Sequence, residues 1–418
     1  MTTTIQFLAT EHEWNAPDVQ EAWQRLMAVS ANPSALFQSP EWFENKYKTK
    51  REELRVAVVQ NSAKITAVAP LLLAQQEFDL KLCRMQFRTA QFLGGEGLMP
   101  EEAYEELFKT IFQKFDVDAI HFRLLHTNSA CWKAVQSSRA GFVRVHEQFK
   151  MYFVGLPGTF DEYLAGRFDS PHRRDLKKRV KSLREQGELR LQRISAPEDV
   201  PEFLRVGGKV ACASWQAAKA SYLIEETPEW NAHLSDLGRR GILRSYLLWC
   251  DSRPCAYVLG FQGGGYYHYS FAGYDQSMAK FSPGTVMLLF IIEDLIQHNH
   301  PGKLNFGEGE DEYKRRFSSE ATGVANVTIL RRSMKGRLRA AAFGAYSSLR
   351  DRRRRYEDLS GDSRGSFAKG RRLGGRKAPD AVDEYQIMKQ LQELWARRTG
   401  LTASRIPLVS IASEDGPR

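Results

Sequence analysis

The stretch AYVLGFQGGGYYHYSFAGYDQSMAKFSPGTVMLLFIIEDLIQHNHPGKLNFGEGEDEYKRRF, residues 256–317, decides the fold. It opens with a hydrophobic strand over 256–261. Gly263, Gly264 and Gly265 form a tight turn, and an aromatic strand follows over 266–271. A polar loop ends in Ser282-Pro283-Gly284 and opens an apolar helix over 285–298. Pro301-Gly302 breaks the chain before a short strand at 303–306. An acidic, glycine-rich turn then leads to Tyr313 and Lys314. The order is hairpin, loop, helix, strand. A glycine-ended loop at a helix start presents backbone N–H groups to an anion. In the aromatic strand, period-two alternation puts Tyr266, His268 and Ser270 on one face and Tyr267, Tyr269 and Phe271 on the other.

Working outward, a strand at 243–249 turns at Asp251-Ser252 to pair with 256–261. The same order occurs earlier. Strands 54–60 and 65–73 turn at Asn61-Ser62, and a strand at 84–93 runs into the loop Gly94-Gly95-Glu96-Gly97. A helix at 101–115 and a strand at 119–124 complete it. The fold class is therefore mixed α/β, with two similar halves side by side. Around these lie a strand at 5–8 and a helix at 18–29. A second helix begins at Ser39-Pro40 with Trp42, Phe43 and Tyr47 on its apolar face. A strand over 142–155 precedes a helix at 160–166 capped by Thr159. Ser170 is the candidate cap of a basic helix, 172–186, stopped by Gly187. Its seam is Leu176, Val180 and Leu183, and Arg173, Arg174, Lys177, Lys178, Arg179, Lys181 and Arg184 crowd the remainder. A strand at 189–194, helices at 197–220 and 230–241, and a closing strand at 324–330 finish the body. The expected divisions are a first half at 1–155, a basic connecting segment at 156–187, a second half at 188–330, an Arg-rich segment at 331–380 and a short helix with a loose tail at 381–418.

The net charge of +10 is localised. Residues 331–377 hold 16 Lys/Arg against 4 Asp/Glu, which leaves the other residues near neutral. A polyanion contact is therefore expected of that segment and not of the body. Five cysteines, none in a C-x-x-C pair, suit a reducing compartment and argue against a disulfide framework. The N-terminus lacks the pattern of a signal peptide, and the longest strongly apolar run, 286–292, is too short to span a bilayer. The expected location is cytoplasmic, with room for a peripheral contact at the inner face of the membrane.

Four segments, YSFAGYD (269–275), FSPGTVMLL (281–289), NFGEGEDEYKRRF (305–317) and RRDLKKRVKSLRE (173–185), resemble in order the acetyltransferase-like domain of the cellulose-biosynthesis and BioF2-type acyltransferases. These are relatives of the GNAT fold and of the FemAB peptidoglycan aminoacyltransferases. The resemblance covers roughly 30–330. It implies two tandem GNAT-like halves and an acyltransferase that uses acyl-CoA, or a phosphopantetheine-linked acyl group on a carrier protein, and no metal. Its acceptor would be an amine-bearing small molecule or an envelope precursor. Two other functions are weighed: aminoacyl transfer from tRNA to an envelope precursor, with 331–377 touching RNA or an anionic membrane, and a non-catalytic scaffold in envelope or polysaccharide synthesis. The chain carries no long coiled-coil insertion of the kind that receives tRNA in FemAB-like enzymes.

The candidate site residues follow. Ser282, Gly284 and Thr285 start the helix that the resemblance matches to the pyrophosphate-holding helix of acyl-CoA enzymes; the bland reading is an ordinary helix start with a permitted proline. His268 titrates in the range of a proton acceptor, or is sheet packing. Tyr269 or Tyr274 donates to the leaving thiolate, or packs. Asp275 orients or deprotonates an ammonium, or caps a turn. Glu308, Glu310, Asp311 and Glu312 form a carboxylate row without a histidine, which reads as a helix start and not as a metal site. The resemblance singles out Gly307, Gly309, Tyr313 and Lys314, with Lys314 on a phosphate, a substrate carboxylate or an internal acid. Trp215 is a pocket wall or a core aromatic. Arg173 and Arg174 meet an anionic partner or water.

Overall fold

The computed structural model describes residues 3–62, 64–79, 84–214 and 224–334, together with 336, 337 and 341. Most of the Arg-rich segment, the 381–418 helix and tail, and Trp215 lie outside the described residues.

Twelve strands form one sheet in the order β1-β2-β3-β4-β5-β12-β6-β11-β10-β9-β8-β7. The strands are β1 Thr3–Leu8, β2 Leu54–Asn61, β3 Lys64–Asp79, β4 Arg84–Phe92, β5 Ala119–His126, β6 Gly141–Gly155, β7 Leu189–Ile194, β8 Ser245–Cys250, β9 Arg253–Gly263, β10 Tyr266–Tyr274, β11 Lys303–Asn305 and β12 Glu320–Arg331. In the first half β2-β3-β4 form an antiparallel meander, a helix α4 (Glu101–Lys114) crosses over, and β5 returns parallel to β4. In the second half β8-β9-β10, the helix Pro283–Gln297 and β11 repeat that order. Both parallel pairings are short. β4 meets β5 only at Thr89–Gln91, and β10 meets β11 only at Tyr266–His268. Beyond them each pair of strands opens into a wedge.

Helices cover both faces. In the first half α2 (Pro17–Ala28) and α3 (Pro40–Lys50) pack on one face around Trp23 and Phe43, while α4 and α5 (Ala130–Ser137) pack on the other around Phe108 and Phe122. In the second half one face takes α6 (Phe160–Arg167), α7 (Ser170–Arg184) and α10 (Pro283–Gln297). The opposite face takes α8 (Val200–Cys212) and α9 (Pro228–Arg239), joined by Trp42 from α3. The remaining helices are a single turn, α1 (Glu11–Trp14), and α11 (Glu312–Phe317).

The expected hairpins, the Ser39 and Thr159 caps and the Leu176/Leu183 seam are present. Gly264 and Gly265 both adopt positive φ, which a two-residue β-turn of this kind requires. Five expectations are corrected. The cap of α7 is Asp169, whose carboxylate accepts from His172 N at 2.9 Å; Ser170 is already helical. Of the helix expected over 197–220, Pro197–Asp199 is a 3₁₀ turn, α8 runs from Val200 to Cys212, and 215–220 lie outside the described residues. Helix α5, capped by Ser129, was not expected. A β-bulge between Tyr269 and Phe271 shifts the phase of β10: Ser270 is exposed, Tyr267 and Tyr269 pack with α10, and Phe271 packs with α8 on the opposite face. Finally, β12 does more than close the second half, because it inserts between β5 and β6 and pairs with both.

Candidate active site

The second wedge begins at Tyr269, the first residue of β10 without a β11 partner. Its ring stands edge-on to Phe306 at 5.7 Å, and Phe306 stands edge-on to Tyr313 at 5.7 Å. Tyr269 is buried, which pushes its hydroxyl well above the usual tyrosine range and keeps it protonated. Tyr274, farther along β10, lies against the start of α10. A Cβ added at Gly284 would come within 3.1 Å of its ring, so glycine here sets how closely helix and strand approach.

At the start of α10 the chain is held in an unusual shape. Ser282 adopts φ +56°, and its carbonyl accepts from the N–H groups of Thr285 at 3.0 Å and Val286 at 3.2 Å. Its hydroxyl accepts a 2.8 Å bond from Arg179 of α7. Arg179 also pairs with Asp175 at 3.0 Å, and Asp175 pairs with Arg316 of α11 at 3.2 Å. One carboxylate thus joins two guanidinium groups beside a helix N-terminus whose first turn has no acid. A positive pole with basic side chains attached attracts anions. Arg179 is the site residue that sequence reasoning missed. It is one of seven basic residues on a helix, and only the tertiary structure distinguishes it. Of the two arginines singled out, Arg173 bonds the carbonyl of Phe168 at 2.6 Å and fixes the entry to α7, while Arg174 is exposed.

Lys314 is buried in α11. Its ammonium donates to the carbonyl of Glu308 and lies 3.5 Å from Asp311. Burial lowers its pKa, opposed by Asp311. It closes the loop 307–311, where Gly307 and Gly309 have positive φ. The Glu308 carboxylate pairs with Arg123 of β5, across to the first half, and Glu310 accepts from Lys150 N at 2.8 Å. Glu308, Glu310 and Asp311 are thus engaged in internal bonds. Among the described residues no group of three His, Cys, Asp or Glu is arranged to hold a metal.

His268 sits elsewhere. It lies in the paired part of β10, beside Phe37 at 4.7 Å, on the face opposite Tyr269. It is 4 % exposed, its Nε2 has no hydrogen-bond partner, and burial brings its pKa to about 3. Asp275 caps the 3₁₀ turn after β10 through Ser277 N at 2.9 Å and pairs with Arg253. Although burial opposes ionisation, Arg253 and Ser277 together hold its carboxyl below the usual range. The geometry links Tyr269 to Tyr313 through Phe306, and Tyr274 to the helix start at Ser282, Gly284 and Thr285, while Lys314 holds the loop before α11. It sets His268 behind the sheet and commits Asp275 to a turn.

Residues 170–315 match the model of the Acetyltransferase (GNAT) domain, which takes in α7, β10, α10 and most of the wedge. The structure is similar to that of FemX, with a TM-score of 0.54 at 11% identity over 74% of this chain and 96% of that one. The chain has a GNAT-like acetyltransferase fold of the FemX kind. A protein of unknown function from Bacteroides thetaiotaomicron VPI-5482 also matches, with a TM-score of 0.50 at 10% identity over 78% of this chain and all of the other. No curated protein matches by sequence. Among the described residues no helix is long and apolar enough to cross a membrane.

Proposed function

We propose that the chain is an N-acyltransferase that moves an acyl group from a thioester, on CoA or on a carrier's phosphopantetheine, to an amine by direct attack. The observation that carries this reading is the wedge at Tyr269 lying beside the Arg179-bound start of α10, within the segment that matches the acetyltransferase domain model. The pantetheine arm would run between β10 and β11. The phosphate end would meet the N-terminal turn of α10 at Ser282, Gly284 and Thr285, with Arg179 adding charge. The freed edge of β10 offers N–H groups to the thioester carbonyl, where they stabilise the oxyanion of the tetrahedral intermediate.

The chemistry balances without a metal. An uncharged amine forms the C–N bond, the intermediate collapses with loss of the C–S bond, and the amine proton passes to water. Tyr269, which burial keeps protonated, donates a hydrogen bond to the departing sulfur and regains from water, after the thiolate takes its proton, the proton that the amine released. The proton acceptor is assigned to water, since His268 is sealed behind the sheet and Asp275 is engaged by Arg253. The acceptor would approach between two tandem halves, which places the first half as a wall and the second as the donor site.

The test is thiol release and product mass with acyl-CoAs and acyl-carrier proteins against small amines and amino acids. Acceptor-dependent thiol release, with a product equal to acceptor plus acyl, is expected from the wild type and from His268→Ala, and a much weaker signal from Lys314→Ala. No release from the folded protein across the panel would sink the reading. A second reading, aminoacyl transfer from tRNA, is favoured by the exposed Arg174, Lys177, Lys178, Lys181 and Arg184 on α7 beside the wedge. It predicts binding to charged tRNA that weakens steeply with salt.

A further inference from the structure

A cavity of about 600 Å³ lies where the first wedge meets the edges of β6, β10, β11 and β12. That volume is in the range of small-molecule sites. Glu96, just past β4, and His126, at the end of β5, line it on one side; Phe153 and Tyr266 line it on the other. Two polar atoms of this wall have no partner: Oε2 of Glu96 and Nε2 of His126, the latter on a side chain only 4 % exposed. Glu96 has a hydrogen bond with Ser129, the cap of α5, and among the described residues no basic side chain pairs with it. Among the described residues the one Lys or Arg in the lining, Lys303, pairs with Glu320 at 2.7 Å.

A buried carboxyl without a counter-ion is costly in its charged form, and burial raises the pKa of Glu96 accordingly. An arriving ammonium offsets that cost through its attraction to the carboxylate and a charge-assisted hydrogen bond to the unpartnered Oε2. His126 does not compete, since burial holds it neutral with a pKa of about 4, and its ring is left to exchange a hydrogen bond with a ligand hydroxyl or amide. Phe153 and Met99 supply an apolar surface.

We propose that this cavity is a second small-molecule site, which takes a ligand bearing a primary ammonium held by Glu96 on a body part apolar and part hydroxylated. The site is separate from the thioester wedge. Tyr266 and Lys303 stand at the paired end of β10 and β11, three residues before Tyr269, or about 10 Å along a strand. The ammonium bound at Glu96 is therefore not the amine at the reacting carbonyl, and the inference holds with or without the donor reading.

The test is saturation-transfer NMR on the full chain without any thioester, using matched pairs: glucosamine against glucose, and phenethylamine against 2-phenylethanol. The amine of at least one pair is expected to bind about tenfold tighter than its alcohol, a difference of about 1.4 kcal/mol. Glu96→Gln should abolish that preference, while Arg179→Ala keeps it. Ala321→Trp, at an exposed strand position in the lining, fills the space without altering Glu96 and should remove binding. Equal binding of amine and alcohol, no binding by either, or an intact preference in Glu96→Gln or Ala321→Trp overturns the proposal. Thiol release by the same samples reports separately on the donor wedge.

Discussion

Between β4 and β5, side chains fill part of the gap that a three-residue parallel pairing opens, and the rest is the cavity beside Glu96 and His126. Phe92 stacks on Phe122 at 4.9 Å, and the Tyr104 hydroxyl donates to the Gly97 carbonyl at 2.8 Å. The helix above starts with Glu101 and Glu102, which oppose any anion at its positive end. Between β10 and β11, the helix above starts without an acid, with Ser282 held by Arg179, and Tyr269 begins a strand edge that β11 does not cover. One topology thus appears twice, and the side chains at each wedge set the charge that it presents. The first copy keeps its acids and offers a cavity to a cation; the second couples guanidinium groups to a helix N-terminus.

The largest expected effect tests whether the first wedge is closed. Gly95 has φ +89°, and a Cβ there would meet the Arg123 carbonyl at 2.7 Å, whereas at Gly307, φ +65°, it would meet nothing within 4 Å. Gly95→Ala should cost about 3 kcal/mol and Gly307→Ala about 1 kcal/mol, since the first adds a backbone clash to the left-handed strain. Urea denaturation measures both, and equal losses would mean that the two wedges are equally packed. Next, Lys314→Ala should lower kcat/KM for thioester transfer about 30-fold, through loss of a buried charged hydrogen bond that holds the loop 307–311. Glu96→Gln should leave the donor KM unchanged.

Arg179→Ala should raise the donor KM about tenfold with little change in kcat, and the effect should shrink as salt rises. Arg174→Ala, on the same helix but exposed, should change KM less than twofold; similar effects from both would make the helix a diffuse patch and not an anchor. The smallest effect is in the pH profile. Burial brings the pKa of His126 to about 4 in the fold, against about 6.5 for a solvated imidazole. The unfolded chain therefore binds more protons between these values, so this contribution is fully present above pH 6.5 and is lost as the pH falls toward 4. His126→Phe should flatten the stability profile in that window by up to one proton, about 1.4 kcal/mol per pH unit. An unchanged slope would show that His126 is not the group being protonated.

Much of this contrast was legible in the sequence. The order of hairpin, loop, helix and strand was readable twice, because alternation and turn residues are local signals. The Ser282-Pro283-Gly284 helix start and the Tyr313-Lys314 turn were legible for the same reason. The bulge at Ser270 was not, since an aromatic run of period two looks the same whether or not one residue is extruded. Asp169 and Ser170 are both good caps, and only the hydrogen bond to His172 decides between them. Arg179 differs from its neighbours only in what α10 presents to it. The burial of His268 follows from Phe37, which is remote in sequence and supplied by the first half.

The position of β12 has a kinetic consequence. It runs antiparallel to β5, with Leu330 beside Ala119, and antiparallel to β6 along nearly its whole length. During synthesis, β5 and β6 must therefore wait for a partner that emerges only after both wedges have been made. Pairings this distant carry a high loop-closure cost and slow the search. Until β12 docks, two strand edges in the middle of the future sheet remain open to pairing with other chains. A refolding experiment should show one late phase in which both halves gain protection together, and Val327→Pro, which removes a ladder N–H at the junction, should block it in both.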